Sequence, residues 1–181
     1  FSSREPERLI TLARAYPGWS GLCYLMAGLL AYKHGGYLRA SELLQRGLTT
    51  RNDDDANRYS STYLTRIVTR IELAERVEIP VLFSEESVFL ALAQSLRETG
   101  RTEAALEALN GLPPSLPMAL ARCSLALALG RSRTVIDWTE GLLNADDLSA
   151  ALLLVRARAL RREGRYEAAH AAIAEVVRRR T

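Results

Sequence analysis

Few residues in this 181-residue chain could perform chemistry, since it contains only two histidines, His34 and His170. A catalytic or metal site built on either one needs a cysteine, acidic or second histidine partner at helix spacing. Neither histidine has such a partner on an otherwise polar face. Acidic pairs such as Glu85-Glu86 begin predicted helices, where favourable interaction with the helix N-terminus explains them. The sequence therefore predicts no catalytic residue, no metal, no cofactor and no enzymatic activity.

The adjacent glycines Gly35-Gly36 raise the alternative of a phosphate-binding loop. Such a loop follows a strand and continues with spaced glycines or with Gly-Lys-Ser/Thr. Here the pair follows a predicted helix, and related turns recur every 30 to 34 residues. A fixed period of this length is typical of a repeat array. The predicted turns lie at Gly35, Thr69, Gly100, Gly130 and Gly164, with threonine replacing glycine at the second.

Small residues flank each predicted turn on both sides. Seven residues before the turns the chain has Gly28, Thr62, Ala93, Cys123 and Ala157, and five residues after them it has Ala40, Ala74, Ala105, Val135 and Ala169. Small side chains at a contact let two antiparallel helices approach closely. Between them, apolar residues recur at three- and four-residue spacing, as a buried helical stripe requires. Each unit is therefore predicted to be helix, turn, helix, and stacking of the units completes the core.

This pattern resembles the tetratricopeptide repeat family, most clearly at residues 21–52, where Tyr24, Gly28, Gly35, Tyr37 and Ala40 carry it. The resemblance implies an all-α, right-handed superhelix of about ten antiparallel helices without strands. It implies a single domain over residues 1–181, with a leading helix at 4–16 and repeats at approximately 21–52, 55–83, 86–115, 116–147 and 150–181. The absence of an initiator methionine predicts an excerpt of a longer chain.

In that family the first helices of the repeats line a concave groove that holds a peptide or a partner helix. The resemblance places eight candidate partner-binding residues in the groove: Tyr32, Tyr59, Tyr63, Arg66, Gln94, Arg97, Arg158 and Arg161. Arginine binds carboxylates bidentately, and tyrosine supplies contact area at low entropic cost. The hypothesis is a protein-interaction scaffold for an acidic peptide or partner protein. The alternative is that these arginines are merely solvated.

Charge and hydropathy limit the remaining classes of partner. The net charge is +3, which favours neither nucleic acid nor a membrane surface overall. From residue 150 onward, however, the sequence has eight arginines and only three glutamates. Nucleic-acid binding by the C-terminal helices therefore stays an alternative, although a disfavoured one. Self-association through exposed solenoid ends is another. The longest nearly apolar run, Leu22–Tyr32, is too short to span a bilayer. The expected location is the cytoplasm of a bacterium.

Overall fold

The structure, a computed structural model, describes residues 5–50, 68–82 and 84–178. Nine α-helices, one 3-10 turn and two strands lie in these ranges. In chain order they are α1 (Glu5–Ala15), the 3-10 turn (Pro17–Trp19), α2 (Ser20–Lys33), α3 (Tyr37–Thr50), β1 (Thr69–Ala74), β2 (Val77–Val81), α4 (Glu85–Glu98), α5 (Thr102–Ala108), α6 (Leu116–Ala128), α7 (Ser132–Trp138), α8 (Asp147–Arg162) and α9 (Tyr166–Arg178). The chain divides into two compact units, Phe1–Glu72 with Glu78–Ala108 and Leu73–Val77 with Leu109–Thr181.

The first unit is centred on α2, which contacts α1, α3 and α4. Nearly every side of α2 is buried, because eleven of its fourteen residues are buried. Two glycines allow α2 and α3 to lie unusually close. A Cβ placed on Gly28 would come within 2.7 Å of Leu44 Cγ, and one placed on Gly47 would come within 2.7 Å of Leu25 Cγ. Glycine at these two positions therefore sets the distance between the helices.

The second unit is centred on α8, which contacts α6, α7 and α9. The starts of α6 and α8 are fixed by side-chain caps, since Ser115 Oγ accepts from the Met118 N–H and Asp146 Oδ1 accepts from the Ser149 N–H. The last helix, α9, buries only Ala169. Its remaining surface, including Tyr166, is partly or fully exposed.

Four inter-helix turns have the same backbone geometry. Gly35, Gly100, Gly130 and Gly164 all have φ between +73° and +78°. At the first of them, the Gly36 N–H donates to Ala31 O and the Gly35 N–H donates to Tyr32 O, both at 2.9 Å. These two bonds define a Schellman motif, in which the left-handed residue favours glycine. The other three turns have the same pair of bonds, for example the Arg165 N–H to Leu160 O at 2.9 Å.

The prediction of a strand-free chain is wrong at residues 69–81. Thr69 does not form an inter-helix turn, because it begins β1, which pairs with β2 in an antiparallel hairpin. Within the described part of the predicted repeat 55–83, residues 68–82, no helix is present. Thr69, Ile71 and Leu73 are buried while Arg70 between them is exposed, as the two-residue period of a strand requires. The segment forms strands because buried and exposed residues alternate along it. Its approximate fit to the repeat period does not make it helical.

None of the helices in the described ranges is both long and apolar enough to cross a lipid bilayer.

Candidate binding surfaces

Of the eight predicted groove residues, five lie within the described ranges and are divided between the two units. Tyr32, Gln94 and Arg97 belong to the first unit, and Arg158 and Arg161 belong to the second. The other three, Tyr59, Tyr63 and Arg66, lie outside the described residues.

Arg97 in the first unit is engaged by neighbouring carboxylates. Its Nη2 lies 3.2 Å from Glu72 Oε2 and 3.2 Å from Glu98 Oε1, and only 21% of its side chain is exposed. Gln94 is buried and donates to the same Glu98 carboxylate at 3.0 Å. Because β1 brings Glu72 to α4, Arg97 and Gln94 form an internal polar network. Arg97 is thus already paired within its own unit.

A cavity of about 540 Å³ lies beside this network, also in the first unit. Tyr32 is buried in its wall, and the ring of Tyr37 meets it edge to face with centroids 5.7 Å apart. Burial, the largest cause, raises the pKa of Tyr32 well above its ordinary value; Tyr37 and Glu78 raise it further, whereas a hydrogen bond with the Glu72 backbone lowers it. The phenol therefore keeps its proton at neutral pH. The described lining residues of this cavity are Tyr32, Lys33, Gly35, Tyr37, Val68, Thr69, Arg70, Glu72, Glu78 and Gln94.

Two arginines of α8 in the second unit bond to the ends of other helices. Arg156 Nη1 donates to Ile136 O and to Thr139 Oγ1, at the C-terminus of α7. Arg162 Nη1 donates to Leu127 O, in the last turn of α6. A guanidinium at a helix C-terminus satisfies carbonyls that have no partner within the helix and complements the negative end of its dipole. These two arginines therefore have structural roles, which the sequence analysis did not anticipate.

The remaining arginines of α8 lie on an exposed face. Arg158 Nη1 is 3.3 Å from Glu75 Oε2, in a pair whose side chains are 57% and 65% exposed. Arg161 lies three residues after Arg158 on the same helix face, but it forms no ion pair with any described carboxylate. Together with Arg162 and Tyr166 they line an open pocket of about 340 Å³. We call this the basic pocket, defined by Arg158, Arg161, Arg162 and Tyr166.

Sequence reasoning thus missed part of each surface. It omitted Arg162, although the spacing of Arg158 and Arg162 by four residues places them on one helix face. It did not include Tyr166 among the candidate partner-binding residues. It also missed the carboxylates Glu72 and Glu78, because residues 55–83 were taken as one repeat of a strand-free array. Alternation of apolar and polar residues through this segment is the signal that could have revealed them.

The described residues contain no group of three or more His, Cys, Asp or Glu side chains positioned to hold a metal ion. His34 and His170 are both exposed.

Comparison of the chain with models of protein families, with curated proteins and with solved structures gives no significant match. The resemblance to tetratricopeptide repeats therefore stays a prediction, and the interpretation of function depends on the geometry of the two surfaces.

Proposed function

We propose that this chain is a non-catalytic protein-interaction module that binds an acidic peptide segment of a partner protein in the basic pocket. We further propose that its helix pairs are tetratricopeptide-like repeats and that it acts in the cytoplasm. The observation that carries the proposal is Arg161, an arginine without an ion-pair partner among the described residues, beside two other arginines and an exposed tyrosine. A guanidinium fork is suited to bidentate recognition of a carboxylate.

The Glu75–Arg158 contact supports a carboxylate as the ligand group. Glu75 is in the turn between β1 and β2 and places its carboxylate 3.3 Å from the guanidinium of Arg158. The chain thus already contains one carboxylate bound at the edge of the basic pocket. An acidic side chain of a partner would make the same interaction with Arg161. Tyr166, which is 69% exposed, would add an aromatic contact surface.

The proposal is tested by fluorescence anisotropy with a fluorescein-labelled peptide of ten residues that alternates glutamate and alanine. We expect saturable binding at low salt, weakened about five-fold by Arg161→Gln, as loss of roughly 1 kcal/mol from one charge-assisted bond implies. The matched control is Arg101→Gln, which removes the same charge from an exposed turn residue of the first unit. Equal affinity of the two variants would contradict a specific role for the basic pocket.

The same assay separates the two alternative classes of partner. A single-stranded oligonucleotide bound more tightly than the peptide, with affinity that falls steeply with salt, would indicate nucleic-acid binding instead. Light scattering over a concentration series would reveal self-association as a mass that rises with concentration. We expect a constant mass in the range where the peptide binds.

A further inference from the structure

The cavity in the first unit has the composition of a small-molecule site. Its volume of about 540 Å³ falls within the range of roughly 300–1,000 Å³ that is typical of ligand pockets. Its described lining differs from that of ordinary apolar voids, because it combines two tyrosines, an amide and four charged side chains. Buried polar groups are costly unless something satisfies them. The buried polar side chains of this lining include Thr69 and Gln94.

The aromatic wall would accept an ammonium group. Tyr32 and Tyr37 both line the cavity, and their rings meet at an interplanar angle of 66°. A cation close to an aromatic face is attracted by the ring quadrupole. Glu78, on β2, lines the same cavity and forms no ion pair with a described cation. The other carboxylate, Glu72, is already neutralised by Arg97 at 3.2 Å.

The cavity also has positive side chains for an anionic group. Lys33, the last residue of α2, and Arg70, on β1, both contribute to the lining. Arg70 is exposed and has no ion-pair partner among the described carboxylates. Lys33, Arg70 and Glu78 are all exposed, so a ligand with only one sign of charge would be attracted by one group of them and repelled by the other. A ligand with both signs would be attracted by Glu78 at one end and by Arg70 and Lys33 at the other.

One lining residue is itself incompletely satisfied. Thr69 is only 4% exposed, and its Oγ1 has no hydrogen-bond partner. A buried hydroxyl without a partner is uncommon in folded proteins. Its position at the start of β1 places this unsatisfied group in the wall that also contains Arg70.

We propose that this cavity binds a small zwitterion of the amino-acid class, with its ammonium held by Glu78 and the tyrosine rings and its carboxylate held by Arg70 and Lys33. This site is independent of the basic pocket and does not require the acidic-peptide function. The module would then respond to a metabolite as well as to a partner protein.

The experiment titrates the full chain with each of the twenty free L-amino acids and follows binding by calorimetry and by amide chemical shifts. We expect saturable binding of at least one, with shifts at Tyr32 and Tyr37. Two analogues of the tightest-binding amino acid serve as probes, an amine without the carboxylate and an acid without the amine. Each should bind at least about ten-fold more weakly than the amino acid itself. Failure of all twenty amino acids to bind, or equal affinity for either analogue, would overturn the proposal.

Two variants assign the charges within the site. Glu78→Gln should weaken the amino acid about ten-fold while leaving affinity for the carboxylate-only analogue unchanged, and Arg70→Gln should leave affinity for the amine unchanged. Glu107→Gln and Arg101→Gln are the matched controls, since both residues are exposed in the first unit and do not line the cavity. If the controls weaken binding as much as the site variants do, the proposal is wrong. Either variant alone suffices if the other fails to fold.

Discussion

The helix pairs α2–α3 and α8–α9 have the same connecting turn but differ in how much of their first helix is exposed to solvent. Each pair has a left-handed glycine, Gly35 or Gly164, and the same two backbone bonds that end the first helix. Yet α2 is buried on nearly all sides, whereas α8 has four arginines and an exposed face. The position seven residues before the turn is Gly28 in one pair and Ala157 in the other.

The residues that specify helix pairing differ from those that form the candidate binding surfaces. The turn and the small contact residues are common to both pairs, so they specify helical packing and carry no information about a ligand. The charges differ. In the first unit Arg97 is paired with two carboxylates, whereas in the second unit Arg161 has no ion-pair partner among the described residues. Alkylation, pH titration and substitution can measure how far the helix pairs differ.

The largest effect concerns the thiol at the position equivalent to Gly28 in the α6–α7 pair. Cys123 is 1% exposed, and burial raises the pKa of its thiol to about 12. Alkylation requires an accessible thiolate, so we expect iodoacetamide at pH 8 to modify Cys123 at least about 100-fold more slowly in the native protein than in guanidinium chloride. Peptide mass spectrometry measures both rates. Comparable rates in the two conditions would show that this helix contact is loose.

The same thiol makes stability depend on alkaline pH. Because the pKa is higher in the folded state, its contribution to stability is complete below pH 9, the ordinary value, and is lost as pH rises toward 12. Cys123→Ala should flatten the pH dependence of the denaturation midpoint of the second unit above pH 9. The first unit should keep its own alkaline loss, since the pKa of Tyr32 is also raised.

The next effect is steric and should distinguish the two helix pairs. A Cβ on Gly28 would lie 2.7 Å from Leu44 Cγ and 3.1 Å from the Leu44 backbone nitrogen, and Leu44 is fully buried. We expect Gly28→Ala to lower the free energy of unfolding by about 1–3 kcal/mol, because overpacked cores cannot relax fully. Urea denaturation measures this.

The reverse change, Ala157→Gly in α8, is the control. We expect a loss of about 1 kcal/mol, which comes from helix propensity and not from a clash. A stabilising effect of Gly28→Ala would mean that α2 and α3 are farther apart than the structure has them.

A smaller and equal effect is expected at the shared turn. Neither Gly35 nor Gly164 has any atom within 4 Å of an added Cβ, so the cost of alanine is confined to the backbone at φ +75° and +73°. Gly35→Ala and Gly164→Ala should each lower the free energy of unfolding by about 1–2 kcal/mol. Asparagine should cost less, because it tolerates this conformation. A large difference between the two alanine variants would show that the turns are not equivalent.

The smallest effect concerns the carboxylate of the hairpin turn. Glu75 occupies Arg158 through an exposed pair, so its contribution is below about 1 kcal/mol. Glu75→Gln should tighten binding of the glutamate–alanine peptide up to about three-fold, since one arginine is released. Glu140→Gln, at an exposed site of the second unit outside the basic pocket, is the charge-matched control. Weaker binding by Glu75→Gln would mean that Glu75 itself supports the site.

The helix pairs could be predicted from sequence because their determinants are local. A glycine with small residues at fixed distances marks each of the four turns, and capping residues such as Ser84 mark helix starts. The hairpin could not be placed by the same reasoning, because TRIELA fits the repeat period while its alternating side chains fit a strand. The two candidate surfaces depend on contacts distant in sequence, such as Glu72 with Arg97 and Glu75 with Arg158. No spacing rule along the chain would reveal those pairs.

The arginines that cap α6 and α7 have a consequence for mutational scanning of this protein. Alanine replacement of Arg156 or Arg162 would have an effect beyond any loss of binding, because it would remove the hydrogen bonds that these side chains donate to Ile136 O and Leu127 O. Such variants would also be less abundant in cells, because unfolded chains are degraded. A scan scored only by activity would therefore count scaffold residues as ligand contacts. Scoring abundance beside activity would separate Arg161 from its neighbours on the same helix.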